Sequence, residues 1–131
     1  MEAVKLQALQ PETVEIPLQP ASYDIWDKKY RLKTKSGEPL DQTIQDTYIR
    51  VARALADVET MPEKREEWFE KFLWALNHGA IPAGRVTSNA GALAHKPATS
   101  TINCTVSRIV PDSMDGILRS VHEAGLTLKA G

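Results

Sequence analysis

Apolar residues recur at helical spacing through two neighbouring stretches, 42–58 and 62–77, and this pattern constrains the fold more than any other feature. In the first stretch they step by 4, 3, 4 and 3 residues, which places them along one side of a helix. The first stripe consists of Ile44, Tyr48, Val51, Leu55 and Val58. The second consists of Trp68, Phe69, Phe72, Leu73 and Leu76. Two amphipathic helices with a short link predict a helical hairpin.

The residues that flank these stretches are typical helix ends. Asp41 precedes the first stretch, and its carboxylate is predicted to accept hydrogen bonds from the first-turn amides. Thr60-Met61-Pro62-Glu63 fits a capping box with proline near the helix start. Gly79 follows the second stretch and is predicted to end that helix.

The segment before the hairpin is less regular. Residues 1–20 contain three prolines and are predicted to form an extended arm, with one short strand at Thr13–Ile16. A short helix is predicted within 21–33, with Ser22 as its N-cap. Its aromatic face would belong to the core or form a ligand platform, and it consists of Tyr23, Trp26 and Tyr30. A turn at 33–39 completes a basic cluster that is either a solvated face or a phosphate site, made of Lys28, Lys29, Arg31, Lys33 and Lys35.

The composition changes at residue 80. Residues 80–100 are rich in glycine, alanine, proline, serine and threonine, which predicts a long loop of a length that is often functional. Ser100–Ser107 is rich in β-branched residues and predicts a strand. A last helix is predicted over 113–129. The order loop, strand, turn, helix is typical of the opening of an α/β unit, and a single strand without a sheet indicates a piece of a larger α/β protein.

Two positions in this second part could carry chemistry. Cys104 is the chain's one cysteine, which excludes an internal disulfide and favours a reducing, cytoplasmic compartment. In the middle of a strand, a cysteine would ordinarily be a small core residue. Its polar neighbour Asn103, however, indicates that this end of the strand is accessible to water. Asp112 and Ser113 are ordinary helix-capping residues, but the same geometry can bind a sugar hydroxyl and an anion.

Several classes of protein are disfavoured. A net charge of −1 argues against a nucleic-acid polymer as the main partner. No apolar run approaches the ~20 residues of a membrane span, and Met1–Gln10 lacks the apolar core of a secretory signal. No metal site is predicted, because the histidines lack ligand spacing; they are His78, His95 and His122.

Beyond these patterns, residues 20–131 resemble the class II, adenosylcobalamin-dependent ribonucleotide reductases. Asp24–Arg31 is similar to the N-terminal helical region of that family. Three later stretches match in order and spacing: Pro82–Arg85 continuing through Ser88–Ala92, then Ser100–Ser107, then Pro111–Met114 continuing through Leu126–Gly131. Each motif by itself is modest evidence for this family, and the motifs together are specific to it.

The resemblance implies an α-helical N-terminal domain with an extended arm over residues 1–79. It implies that residues 80–131 are the first β-strand and helix of a ten-stranded α/β barrel, truncated before the Cys-Gly-Ile-Gly with which the family continues. The implied function is the N-terminal part of a split or truncated reductase that converts ribonucleotides to deoxyribonucleotides and is inactive alone; an intein or other gene interruption would explain such an end. The alternative is a non-catalytic remnant or a helical interaction module.

The resemblance also implies roles for individual residues. Cys104 would be one of two cysteines that reduce the substrate. Ser88 and, less directly, Asn103 would bind the nucleotide substrate. Asp112, Ser113 and Met114 would lie where a deoxynucleotide or ATP effector binds.

The implied partners follow from the same resemblance. Adenosylcobalamin would be bound mainly by the downstream part of the reductase. A thioredoxin-like protein or a dithiol would regenerate the cysteines, and the complete enzyme would be a homodimer. Whether the substrate is a diphosphate or a triphosphate is left open.

Overall fold

The computed structural model describes residues 17–96, 100–102 and 104–130. The predicted strand at Thr13–Ile16 and the predicted substrate residue Asn103 lie outside these ranges. Five α-helices are formed by the described residues, and the first continues directly into a π-helical segment, Trp26–Tyr30. The α-helices are α1 Pro20–Ile25, α2 Ile44–Ala56, α3 Pro62–Asn77, α4 Gly84–Asn89 and α5 Met114–Ala130.

The helical hairpin predicted from the two apolar stripes is confirmed, because α2 packs along α3. Its buried centre also receives a residue from the segment after α4, and it consists of Val51, Ala52, Leu76 and Ala90. Larger side chains pack around that centre, namely Tyr48, Leu55, Phe69, Phe72, Leu73 and Val86. Val58 is 78% exposed because α2 ends at Ala56, before the stripe does. The hairpin core therefore extends to α4.

The predicted capping residue of α2, Asp41, is wrong. Thr43 is the N-cap, and its hydroxyl accepts the Asp46 amide while the Asp46 carboxylate accepts the Thr43 amide. This reciprocal arrangement satisfies two first-turn donors next to the helix. Asp41 lies two residues earlier, where its side chain is buried and paired with Arg50.

The ends of α3 were predicted in part. Pro62 occupies the first helical position, where its missing amide costs nothing. Met61 is the N-cap and makes no side-chain capping bond, so the predicted capping box is wrong. Gly79 has φ +92° just past the helix, and the Ala80 amide donates to the Ala75 carbonyl. This left-handed termination confirms glycine as the helix stop.

The first helix begins at Pro20 and not at Ser22, because proline's fixed φ suits the first helical position. Of its aromatic residues, Trp26 is 6% exposed and belongs to the core, whereas Tyr23 is 52% exposed. In the basic cluster, three cations pair with nearby carboxylates, which favours the solvated interpretation over a phosphate site. The pairs are Lys28–Asp24, Arg31–Asp27 and Lys33–Asp27.

Beyond residue 80 the structure differs from the expectation in two places. The predicted loop contains α4, which is held by packing of Val86 and Ala90 on the hairpin core. The described residues of the predicted strand, 100–102 and 104–107, form no strand, because no other described segment provides a partner for its backbone groups. The start of an α/β barrel therefore stays a prediction, as does the domain boundary at residue 79.

The last helix is confirmed within one residue at each end. Its first turn is capped by the Ser113 hydroxyl, which accepts the Gly116 amide at 3.0 Å. Much of its apolar side is exposed, as shown by Met114, Ile117, Leu118, Val121, Leu126 and Leu128. Among the described residues, no helix combines the length and the apolarity that crossing a bilayer requires.

Candidate functional site

Ser88 lies in the last turn of α4 and is part-buried. Its hydroxyl is 3.1 Å from Oδ1 of Asn89 and 3.5 Å from the Arg85 carbonyl. Both neighbours are acceptors, so the hydroxyl proton is directed toward the protein and the oxygen keeps lone pairs for a donor from outside. The backbone carbonyl of Ser88 accepts a hydrogen bond from Nζ of Lys96 at 2.9 Å.

Asn89 connects this serine to the following segment. Its Nδ2 donates to the Ser100 carbonyl at 2.9 Å, an acceptor that fixes which end of the amide faces Ser88. Ser100 in turn accepts the Ile102 amide through its hydroxyl at 2.9 Å. The amide side chain of Asn89 thus joins the predicted substrate residue to the start of the segment that carries Cys104. Asn89 lies inside the Ser88–Ala92 motif, but no pattern in the sequence indicated this connecting role.

Arg50 of α2 holds the C-terminal end of α4. Its Nη1 donates to the Ala90 carbonyl at 2.5 Å, and its Nη2 donates to the Thr87 carbonyl at 3.1 Å. Carbonyls at a helix end lack partners within the helix, so a fork of guanidinium donors is well suited to them. The sequence pattern of α2 predicted an apolar stripe and did not indicate this role for Arg50.

Asp41 is the counter-ion of Arg50. The shortest contact, between Nη2 of Arg50 and Oδ2 of Asp41, is 2.9 Å, and the side chains are 10% and 6% exposed. The same carboxylate accepts the Thr47 hydroxyl at 2.7 Å and the Leu32 amide at 3.2 Å. Burial opposes ionisation of Asp41, but the bonds from Arg50, Thr47 and Leu32 outweigh it and hold the pKa below its ordinary value.

Trp26 and Gly91 complete the surroundings of this ion pair. The Trp26 indole donates to the Thr47 hydroxyl at 3.0 Å, and this hydroxyl in turn donates to the Asp41 carboxylate. On the other side of the ion pair, Gly91 has φ +72°, a backbone conformation that residues other than glycine rarely adopt. A Cβ added at Gly91 would lie 2.8 Å from Cγ of Arg50, so the turn after α4 lies directly against the Arg50 side chain.

The other predicted site residues lie later in the chain. The thiol of Cys104 is free and exposed, in a segment without regular secondary structure. Asp112 and Met114 are exposed at the start of α5, on either side of the capping residue Ser113. The segment before this helix is tied to it by an ion pair of 2.8 Å between Arg108 and Glu123. The structure thus brings Asp112, Ser113 and Met114 together at one helix end.

The pocket formed by α2, α3 and the segment after α3 is not suited to adenosylcobalamin, the cofactor that the resemblance implies. An open pocket of about 200 Å³ lies between α2, α3 and the segment that follows, and its lining is apolar, formed by Leu55, Phe72, Ala75, Leu76, Ala80, Ile81 and Pro82. Such walls provide no partners for the amide groups around a corrin ring. The described part of the chain also contains no group of three histidine, cysteine or acidic side chains that could hold a metal ion.

Comparison with known proteins identifies related sequences. Residues 17–93, more than half of the chain, match the family model of the ribonucleotide reductase all-alpha domain. The chain is also 32% identical over 112 residues to the ribonucleoside-diphosphate reductase subunit alpha of Treponema pallidum (strain Nichols). That alignment covers 85% of this chain and 12% of the length of the relative. No solved structure matches the chain.

Proposed function

The chain belongs to the ribonucleotide reductase family through its all-alpha domain, and we propose that it contributes a substrate-binding loop and a reducing cysteine to the conversion of ribonucleotides to deoxyribonucleotides. The observation that carries the proposal is the continuous set of contacts from the helical hairpin to Ser88, all within the residues that match the family's all-alpha domain. Arg50 in that domain holds the carbonyls on either side of Ser88, and Asn89 fixes its hydroxyl.

In this proposal Ser88 binds the nucleotide. Because its proton is directed toward Asn89 or the Arg85 carbonyl, its oxygen is free to accept a hydrogen bond from a ribose hydroxyl. A serine held in this way is oriented before the substrate arrives, which lowers the entropy lost on binding.

Cys104 is the reductant in this proposal. Removal of the ribose 2′-hydroxyl as water and its replacement by hydrogen requires two electrons and two protons. Two thiols supply both and become a disulfide, which a dithiol then returns to the reduced state by exchange. The thiol of Cys104 is free and exposed, as such a role requires, and the resemblance implies a partner cysteine downstream.

The remaining groups of the reaction would come from polypeptide beyond these 131 residues, since the chain spans 12% of the length of its relative. The class II assignment adds adenosylcobalamin, which supplies a radical when bound and would be held by that downstream part. Residues at the start of α5 would serve the effector site: the exposed carboxylate of Asp112 would accept a hydrogen bond from a hydroxyl of the effector, beside Ser113 and Met114. Support for these finer assignments is the sequence resemblance.

The substrate role of Ser88 is tested in the complete reductase that contains this chain. Ser88→Ala should raise KM for the ribonucleotide several-fold, because one neutral hydrogen bond contributes about 0.5–1.5 kcal/mol. Thr87→Ala is the matched control, since it removes a neighbouring hydroxyl of the same helix, whose hydrogen bond to the Ala83 carbonyl is long at 3.4 Å. An unchanged KM in Ser88→Ala, or an equal rise in both variants, would refute the role.

A further inference from the structure

Arg50 contacts three separate parts of the chain with one guanidinium group. It is paired with the Asp41 carboxylate, it donates to the Thr87 and Ala90 carbonyls, and its Nη2 lies 3.4 Å from the Tyr30 carbonyl. The contact to Tyr30 is at the long end of hydrogen-bond distances, so the Asp41 and α4 contacts dominate. The side chain is 10% exposed, and these bonds are therefore little weakened by water.

The contacts with α4 matter because that helix is short. At six residues, Gly84–Asn89 is too short to be stable by its own hydrogen bonds. Its position depends on what its ends and its apolar side touch. Arg50 binds the carbonyls immediately before and two residues after Ser88, and Lys96 binds the carbonyl of Ser88 itself.

We propose that Arg50 is a positioning residue for the nucleotide substrate, acting through the backbone on either side of Ser88. This inference rests on the proposed role of Ser88 in binding. The hairpin supplies a rigid base, Asp41 orients the guanidinium, and the guanidinium sets where the last turn of α4 presents the serine. The helical domain thereby has a direct part in substrate affinity, although none of its hairpin residues needs to touch the nucleotide.

Arg50→Lys in the complete reductase tests the proposal. A lysine keeps the charge beside Asp41 but cannot bind that carboxylate and two carbonyls with a fixed fork of donors. We expect KM for the ribonucleotide to rise roughly five- to tenfold, with kcat changed much less, because one to two hydrogen bonds are lost. Lys96→Met removes the bond to the Ser88 carbonyl without touching Asp41, and it should change KM in the same direction.

Thr43→Ala is the control for a merely structural effect. It removes the hydroxyl that accepts the Asp46 amide at the start of α2, the helix that carries Arg50, but it changes none of the bonds that Arg50 makes with Asp41 and α4. Its thermal midpoint should fall, because losing an N-cap costs about 1 kcal/mol, while KM stays at the wild-type value. An equal rise of KM in Thr43→Ala would overturn the positioning role, because loss of stability would then explain both variants.

Ser88→Ala separates the two proposals. A raised KM in Ser88→Ala together with wild-type KM in Arg50→Lys and Lys96→Met would refute the positioning role alone. An unchanged KM in Ser88→Ala would refute the binding role of Ser88 and the inference built on it. We expect a raised KM in Ser88→Ala, Arg50→Lys and Lys96→Met, and a wild-type KM in Thr43→Ala.

Discussion

A side chain at Gly91 would collide with Arg50: an added Cβ would lie 2.8 Å from Cγ of Arg50 and 3.2 Å from its carbonyl oxygen. Gly91 also has φ +72°. The residue is therefore required for two separate reasons, a left-handed backbone and a close approach to α2.

Gly91→Ala should lower the free energy of unfolding by about 1–3 kcal/mol from backbone strain alone, and by more through the collision with Arg50. Gly37→Ala isolates the first cost, because Gly37 has φ +90° and nothing within 4 Å of its Cβ position. Urea unfolding of both variants measures the difference. Equal losses in the two would show that the turn after α4 does not press on Arg50.

The buried carboxylate of Asp41 predicts an acid-sensitive contribution to stability. Its pKa is lowered in the folded chain, so the stabilisation is complete well above the ordinary value of 3.8 and is lost as the pH falls through the folded pKa. Asp41→Asn should therefore be clearly less stable than the wild type near pH 7. The gap between their thermal midpoints should narrow toward about pH 3. A gap that stays constant over this range would contradict the ionised pair.

The start of α5 allows capping and effector binding to be separated, because Ser113 and not Asp112 accepts the Gly116 amide. Ser113→Ala should cost about 1 kcal/mol of stability. Asp112→Ala should cost little stability, yet in the complete reductase it should weaken the response to the deoxynucleotide effector more than basal turnover. The comparison is made by titrating the effector against substrate reduction. A normal effector response in Asp112→Ala would remove this residue from the proposed site.

The hairpin could be predicted from the sequence because its information is local. Periodicity at helical spacing, Pro62 at a helix start and Gly79 at a helix end each act over a few residues. Capping was predicted less well, since several residues compete for the same amides. Thr43 has the advantage over Asp41 because Asp46 lies three residues further on to complete a reciprocal pair.

The candidate site could be predicted only as separate residues. The resemblance singled out Ser88, but the bond from Arg50 to the Ala90 carbonyl joins residues forty positions apart, and no local pattern indicates it. The helix α4 was missed for the same reason, because its short run of residues is stabilised by the hairpin and by Arg50. The described residues on either side of position 103 form no strand, because a strand depends on a neighbour elsewhere in the fold.

The reducing role of Cys104 is the central chemical claim, and multiple-turnover measurement tests it most directly. Cys104→Ser keeps the size of the side chain but cannot form the disulfide that delivers two electrons to the substrate. In the complete reductase supplied with dithiol, we expect Cys104→Ser and Cys104→Ala to fold and to bind nucleotide. Both should fail to sustain deoxynucleotide production over many cycles. Sustained reduction by Cys104→Ser would contradict the account and remove Cys104 from the reaction.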